Sequence, residues 1–240
     1  MKKIGHLLNE NKLVKIGEII LVFFVAMLII KAFVKTEGDH LIYNQAVVWV
    51  ANVMMLIMIW LGMKLRGESW QYFGLTFKKI GFKASMKVFL LSLLVFVLAM
   101  VGFIIGSIIM ANITGIPEEA NMSGYDYLRD NLGMLFLTLA GVYVVSSFGE
   151  EVIYRAFLIN RFKQLGLASK TGKIIAVILS AVIFGFAHYS WGPMGIVQTF
   201  FMGLALGGCY LYFKKQLWIL IFAHAYMDTI LMVQMYLASN

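Results

Sequence analysis

Charged residues, proline and cysteine are all scarce in this sequence of 240 residues. Only 13% of the residues are Asp, Glu, Lys or Arg, whereas a soluble domain carries about 25%. Hydrophobic residues make up 61%, and the mean hydropathy is +0.85. These values exclude an ordinary soluble protein and leave no room for a large soluble domain. We therefore expect a membrane protein built as one continuous bundle.

The low counts of proline and cysteine further limit the kinds of structure and site that this membrane protein can contain. The chain has 2 Pro and 22 Gly, a balance typical of helices that pack closely in lipid. Its one cysteine, Cys209, lies in an apolar run. A single thiol excludes both an intramolecular disulfide and a cysteine metal cluster.

Apolar runs long enough to cross a bilayer as helices recur along the chain. The first run could be mistaken for a signal peptide, but no small-residue cleavage site follows it, so we count it as a helix. The sequence therefore predicts an all-α, polytopic transmembrane bundle of about seven spans. The runs cover residues 16–34, 44–63, 86–112, 132–153, 174–190, 194–213 and 217–236.

The basic residues predict the orientation of these spans. All but three of the 20 Lys and Arg residues (Lys31, Lys35 and Arg129) fall in segments on the side of the N-terminus. The loop 113–130, on the other side, is acidic. The positive-inside rule then places the N-terminus inside and the C-terminus outside. Because topology accounts for the net charge of +8, we expect no nucleic-acid partner. The acidic loop residues are Glu118, Glu119, Asp126 and Asp130, and the last basic pair is Lys214 and Lys215.

We expect one structural unit with two sequence regions. Residues 1–130 hold helices 1–3, and residues 131–240 hold helices 4–7. Between helices 2 and 3, the segment 67–83 mixes aromatic residues with lysines, a composition that suits an amphipathic segment on the cytoplasmic interface. An ordinary anchoring loop and a substrate-binding role remain alternatives for this segment.

Two adjacent carboxylates, Glu150 and Glu151, stand inside the fourth apolar run, followed by Arg155. A charged residue at bilayer depth costs about 2.5–3.5 kcal/mol on insertion scales, so such residues are rare and usually functional. On a helix, Glu151 and Arg155 share a face in the favourable order. Glu150 is rotated by about 100° and has no cation at that spacing. The pattern predicts a neutralised Glu151 and a free Glu150.

Further ionisable residues lie in two later spans. His188 falls in the fifth run, and His224 and Asp228 lie one helical turn apart in the seventh. At about 1.5 Å per residue, Glu150, His188 and His224 all lie between the inner leaflet and the midplane. Such a group could activate a water for attack on an amide or bind Zn²⁺. A structural polar clasp between helices and a transport role are the alternatives.

Three motifs resemble those of a known family. They are Glu150-Glu151-x-x-x-Arg155, Phe184-x-x-x-His188 and His224-x-x-x-Asp228, in this order on successive helices. They are similar to the motifs of the CPBP family, the CAAX prenyl proteases and bacteriocin-processing proteins also called the Abi family. The resemblance covers about residues 130–236, which makes residues 131–240 the expected catalytic core.

This resemblance implies an intramembrane endopeptidase whose site is reached from the cytosol. Glu150 and His188 would activate the water, His224 and residue 228 would stabilise the oxyanion, and Glu151 with Arg155 would be a supporting pair. Family members that carry Asn at this position differ from this chain. Because Asp228 can donate to an oxyanion only when protonated, aspartate here favours metal ligation or orientation of His224.

The cofactor and the partners follow from the same resemblance. The family has been described both as metal-independent and as metal-dependent, so we expect either no cofactor or one divalent metal, Zn²⁺ first, held by Glu150, His188, His224 and Asp228. The expected partners are a peptide or protein substrate at the membrane and the lipid bilayer, and the expected location is the plasma membrane. A non-catalytic bacteriocin-immunity or partner-binding protein is the main alternative. An ion-coupled transporter is disfavoured by the lack of an inverted repeat.

Overall fold

The protein is described by a computed structural model that covers residues 2–38, 40–77, 80–115, 120–213 and 216–238. Within these ranges the chain is helical and contains no strand. Three short 3₁₀ turns, Trp70–Phe73, Ser123–Leu128 and Tyr189–Trp191, connect longer helices. The longer helices are α1 (Lys2–Glu10), α2 (Lys12–Phe33), α3 (Leu41–Arg66), α4 (Phe82–Thr114), α5 (Leu132–Gln164), α6 (Lys170–Ala187), α7 (Gly192–Tyr212) and α8 (Leu217–Leu237).

Helices α2 to α8 are each long and apolar enough to cross a membrane, α7 together with the 3₁₀ turn before it. The predicted all-α bundle with seven spans is thereby confirmed. The inside–outside orientation stays a prediction. Of the loop charges that support it, Glu118, Glu119, Lys214 and Lys215 lie outside the described residues.

Glycine lets α4 and α7 approach each other closely. A Cβ atom at Gly102 would lie 2.6 Å from the backbone oxygen of Phe201, and one at Gly106 would lie 2.8 Å from Cα of Gln198. Real Cβ atoms do not approach backbone this closely, so larger residues would push the helices apart. Such small-residue contacts are the usual means of helix packing in lipid, where apolar side chains gain little from leaving the solvent.

Helix α5 is the centre of the bundle and carries the paired glutamates. Every residue from 151 to 161 is buried, whereas a helix facing lipid or water would expose one side. The helix has 33 residues and extends well beyond the predicted boundary at residue 153. At about 1.5 Å per residue it is longer than the bilayer core is thick.

Helix α5 is not regular. It is π-helical over Tyr143–Phe148 and again over Glu151–Leu158, so the widened turns flank Glu150 on both sides. π-Turns are rare and occur mostly at functional sites.

A buried ion cluster holds the far end of α5. Arg161 donates from Nη2 to Glu68 Oε2 at 2.8 Å and from Nε to Glu18 Oε2 at 3.2 Å. Arg66 forms a bidentate contact with the same Glu18 carboxylate. These contacts tie α5 to α2, α3 and the start of the α3–α4 connection, and they fix the axial position of the helix.

The α3–α4 connection only partly resembles the expected interfacial segment 67–83. Phe77, Ile80 and Phe82 are exposed, as residues at an interface would be. Phe73 and Leu75, in contrast, are fully buried in the bundle. The backbone oxygen of Phe73 accepts a hydrogen bond from Tyr210 at 3.2 Å. Lys78 and Lys79 lie outside the described residues.

The predicted fifth span, 174–190, ends too late. Helix α6 ends at Ala187, and His188 is its C-cap rather than a residue within it. The cause lies just downstream, where Gly192 has φ 77° and Pro193 begins α7. Proline suits the first turn of a new helix and cannot continue an old one.

Candidate active site

Helices α5 and α8 bring His224 together with three carboxylates. Its Nδ1 lies 2.9 Å from Glu151 Oε1. Its Nε2 lies 3.8 Å from Glu150 Oε2 and 3.8 Å from Asp228 Oδ1. Four of the predicted site residues therefore form one cluster between α5 and α8.

Glu151 is the fully buried member of the glutamate pair, and its Oε1 is held by two partners. Its Oε1 also lies 3.3 Å from Arg155 Nη1, and both side chains are shielded, with 0% and 1% of their surface exposed. The Arg155 guanidinium lies over the ring of Phe184, 4.1 Å from the centroid. A charge pair at this depth keeps its geometry because neither side chain can exchange its partner for hydrogen bonds to water.

Glu150 is the open member of the pair. Its contact with His224 is long, at 3.8 Å, and 14% of its side chain is exposed, against 0% for Glu151, although one oxygen of each carboxylate is buried without a hydrogen-bond partner among the described residues. A carboxylate that is not neutralised by a close cation can bind and deprotonate a water.

Asp228 acts as a hydrogen-bond acceptor. Ser147 donates to its Oδ2 at 2.6 Å, and Ser146 donates to its Oδ1 at 3.5 Å. Both oxygens thus receive hydroxyl protons, the arrangement that suits an ionised carboxylate. The two serines were missed as functional residues, although their position four residues before each glutamate places them on the same side of α5.

His188 lies beside this cluster rather than in it. Its Nδ1 lies 2.9 Å from the backbone oxygen of Phe184, and no hydrogen bond or ion pair within the described ranges joins it to Glu150 or His224. The Phe184 ring contacts both imidazoles, with centroid distances of 4.8 Å to His188 and 6.4 Å to His224. His188 interacts electrostatically with His224 and Asp228, so the three groups surround one region.

Aromatic residues form the wall of this region, and their role could not be inferred from spacing. Trp191 packs edge-on against His188 at 4.8 Å, and Tyr154 packs against Phe184 at 5.0 Å. These three residues belong to three separate elements, and only the Phe184 motif carried a sequence signal.

The choice between no cofactor and one divalent metal stays a prediction. Across the described parts of the chain, no three His, Cys, Asp or Glu side chains are grouped to hold an ion. His224 uses Nδ1 for Glu151, and His188 is turned toward the Phe184 carbonyl. A zinc site needs at least three protein ligands at about 2.0–2.3 Å.

One cavity of the protein lies away from this cluster. It has a volume of about 450 Å³ and is lined by residues of α1, α2 and α3, among them Leu8, Leu21 and Leu61. None of the site residues lines it, so it adds nothing to the chemistry described above.

Comparison with known proteins agrees with the motifs. Residues 132–230 match the family model described as type II CAAX prenyl endopeptidase, Rce1-like. The match starts at the first residue of α5, ends within α8 and contains all three motifs. No curated protein and no solved structure matches the chain. The resemblance to the CPBP family that the motifs predict is confirmed over these residues.

Proposed function

We propose that this chain is an intramembrane endopeptidase in which Glu150 activates the attacking water. One observation carries the proposal: two adjacent glutamates share one histidine, yet Glu151 is held by His224 at 2.9 Å and Arg155 at 3.3 Å, whereas Glu150 lies 3.8 Å from His224 and is partly exposed. A purely structural clasp would pair both acids. A hydrolase needs one of them free.

Water activation requires a base and a group that orients the water. Glu150 supplies the base. His188 supports it, because an Nδ1–H donating to the Phe184 oxygen leaves the Nε2 lone pair free to accept a hydrogen bond from the water. The water oxygen attacks the peptide carbonyl carbon while its proton passes to Glu150. Glu150 then returns this proton to the leaving amine nitrogen as the C–N bond breaks.

His224 is placed to stabilise the charge that develops on the carbonyl oxygen. When protonated, it donates from Nδ1 to Glu151, and its Nε2–H points into the space between Glu150 and Asp228. A fixed donor at such a point lowers the barrier most when it needs no reorganisation. Asp228, held by Ser147, orients His224 rather than donating itself.

We propose that this chemistry needs no metal. The support is the geometry of the donor set, in which His188 stands apart from His224 and the three carboxylates. Elemental analysis of the purified protein, with activity measured before and after chelation, decides the point. One zinc per chain lost together with activity would contradict the proposal.

We propose a peptide or protein delivered at the membrane as the substrate, cleaved at a site open to the cytosol in the plasma membrane. The name of the matched family concerns prenylated substrates, but the described site contains no feature specific to a prenyl group. The site therefore supports hydrolysis of a peptide bond, and it supports no choice between prenylated and unmodified substrates.

The test is hydrolysis by purified protein in lipid nanodiscs. The probes are a fluorogenic farnesylated peptide ending in a CAAX sequence and a set of unmodified membrane-tethered peptides. Glu150→Gln and His188→Ala should abolish cleavage, and Glu10→Gln, at an exposed position on α1, is the control. Full activity in Glu150→Gln would remove the proposal, and a cellular phenotype kept by both inactive variants would favour a partner-binding role.

A further inference from the structure

The connection between α4 and α5 covers the site on the side of His188 and Asp228. We call residues 121–130 the covering segment. Its two ends are tied to the elements that carry site residues: the Asn121 N–H donates to the oxygen of Trp191 at 3.0 Å, and the Asp130 N–H donates to that of Tyr236 at 3.2 Å. The segment is therefore part of the packed protein, with Leu128 fully buried.

Tyr125 is the residue of the covering segment that interacts with the site residues. It packs against the buried cluster of Leu128, Leu135, Val142 and Met232. Val142 and Met232 lie four residues from Ser146 and Asp228, and so share a helix face with them. Tyr125 also interacts electrostatically with Asp228 and Glu150.

A second contact links Tyr125 to His188 through the ring of Trp191. Its ring meets Trp191 edge-on with a centroid distance of 6.4 Å, and Trp191 meets His188 in the same way at 4.8 Å. Tyr125 therefore stands at the junction of the helix with Asp228 and the turn with His188.

The hydroxyl of Tyr125 has no hydrogen-bond partner among the described residues, although the ring is well packed. Tyr127, two residues on, places its hydroxyl 3.3 Å from that of Thr138. Burial, followed by the negative charges of Asp228 and Glu150, raises the pKa of Tyr125. The phenol thus stays neutral and keeps its proton available for donation.

Within the described residues, the groups assigned so far supply one donor to the developing oxyanion. Oxyanion holes commonly use two donors, and removal of one typically costs about 10²–10³ in kcat. His224 offers one N–H, while Asp228 accepts from Ser146 and Ser147 and has no proton to give. A neutral O–H next to Asp228 and Glu150 would fill this gap.

We propose that the hydroxyl of Tyr125 is a further catalytic donor, which hydrogen-bonds the carbonyl oxygen of the scissile peptide as it becomes negative. The proposal rests on the proposed function and adds a residue that lies outside the three motifs. Tyr125 is then the one residue of the covering segment to which we give a part in catalysis.

The test is Tyr125→Phe, which keeps the ring against Trp191 and removes only the hydroxyl. With the peptide probes named above, we expect kcat to fall by about 10²-fold, with KM within about 2-fold because the contact forms in the transition state. Tyr127→Phe is the matched control. It removes the hydroxyl that pairs with Thr138 and should leave kcat unchanged.

The outcomes separate the two proposals. Loss of activity in Glu150→Gln with wild-type kcat in Tyr125→Phe would overturn the role of Tyr125 alone. Retained activity in Glu150→Gln would remove both. A raised KM with unchanged kcat would mark Tyr125 as a binding residue and overturn the donor role.

A second variant, which keeps the hydroxyl, tests the proposal even if Tyr125→Phe fails to fold. Replacing Tyr125 with 3,5-difluorotyrosine preserves ring and hydroxyl but makes the phenol more acidic. If Tyr125 must donate, the alkaline limit of kcat should move to lower pH. An unchanged pH profile in this folded variant would overturn the proposal.

Discussion

Glu150 and Glu151 are neighbours in the chain but have different surroundings. Each helical residue turns the side-chain direction by about 100°, so Glu151 faces Arg155 while Glu150 faces the accessible side. The Glu151–Arg155 pair could be predicted from its four-residue spacing. The contact between Glu151 and His224 could not, because 73 residues separate them and only the packing of α5 against α8 brings them together.

Glu151→Gln should destabilise the protein, because it leaves the buried Arg155 without its carboxylate. Removal of one partner from a buried pair costs about 3–5 kcal/mol. We expect the free energy of unfolding to fall by about 3 kcal/mol, measured by SDS titration in mixed micelles with circular dichroism. Glu150→Gln is the matched control and should unfold like the wild type. Equal destabilisation by the two substitutions would contradict the supporting role of Glu151.

At the scale of single elements, helix α5 has a feature that its sequence pattern does not predict. Its apolar run predicts a span, but the two π-helical stretches around Glu150 depend on packing from every side. The amino-acid composition of this stretch does not indicate the π-helical turns. The early end of α6 is different, since Gly192 and Pro193 could have signalled that His188 is a cap and not a mid-helix residue.

The close contact between α4 and α7 predicts that a larger residue at the helix interface destabilises the protein. Gly102→Ala should weaken this contact, because the new Cβ would meet the backbone of Phe201, which cannot rotate away. Overpacking of this kind costs about 1–3 kcal/mol, measured by the same SDS titration. Gly208→Ala on α7 is the control, since a Cβ there meets nothing within 4 Å. A stable Gly102→Ala would show that the two helices do not pack through their backbones.

At the scale of the whole molecule, hydropathy predicts the seven spans because lipid demands about 20 apolar residues from each. It does not predict how they are held together. Arg161 and Glu18 are separated by 143 residues, and the basic residues near the ends of α3 and α5 suggested only membrane orientation. Two of them, Arg66 and Arg161, are instead partners in the buried ion cluster.

Orientation gives a prediction for the whole molecule. In a Cys209→Ser background, cysteines introduced at Glu10 and Gly124 should react differently with a membrane-impermeant maleimide on intact cells. We expect Gly124→Cys, in the covering segment, to be labelled from outside, because the positive-inside rule places this connection there. Glu10→Cys should be labelled only after lysis. The reverse pattern would contradict the predicted topology.

The central claim, that Glu150 activates a water instead of attacking the peptide itself, is tested most directly by isotope transfer. A single turnover of the wild-type protein in oxygen-18 water, analysed by mass spectrometry, should place one heavy oxygen in the new carboxylate of the product. The peptide that contains Glu150 should carry none. Heavy oxygen on Glu150, or cleavage without label in the product, would contradict the account.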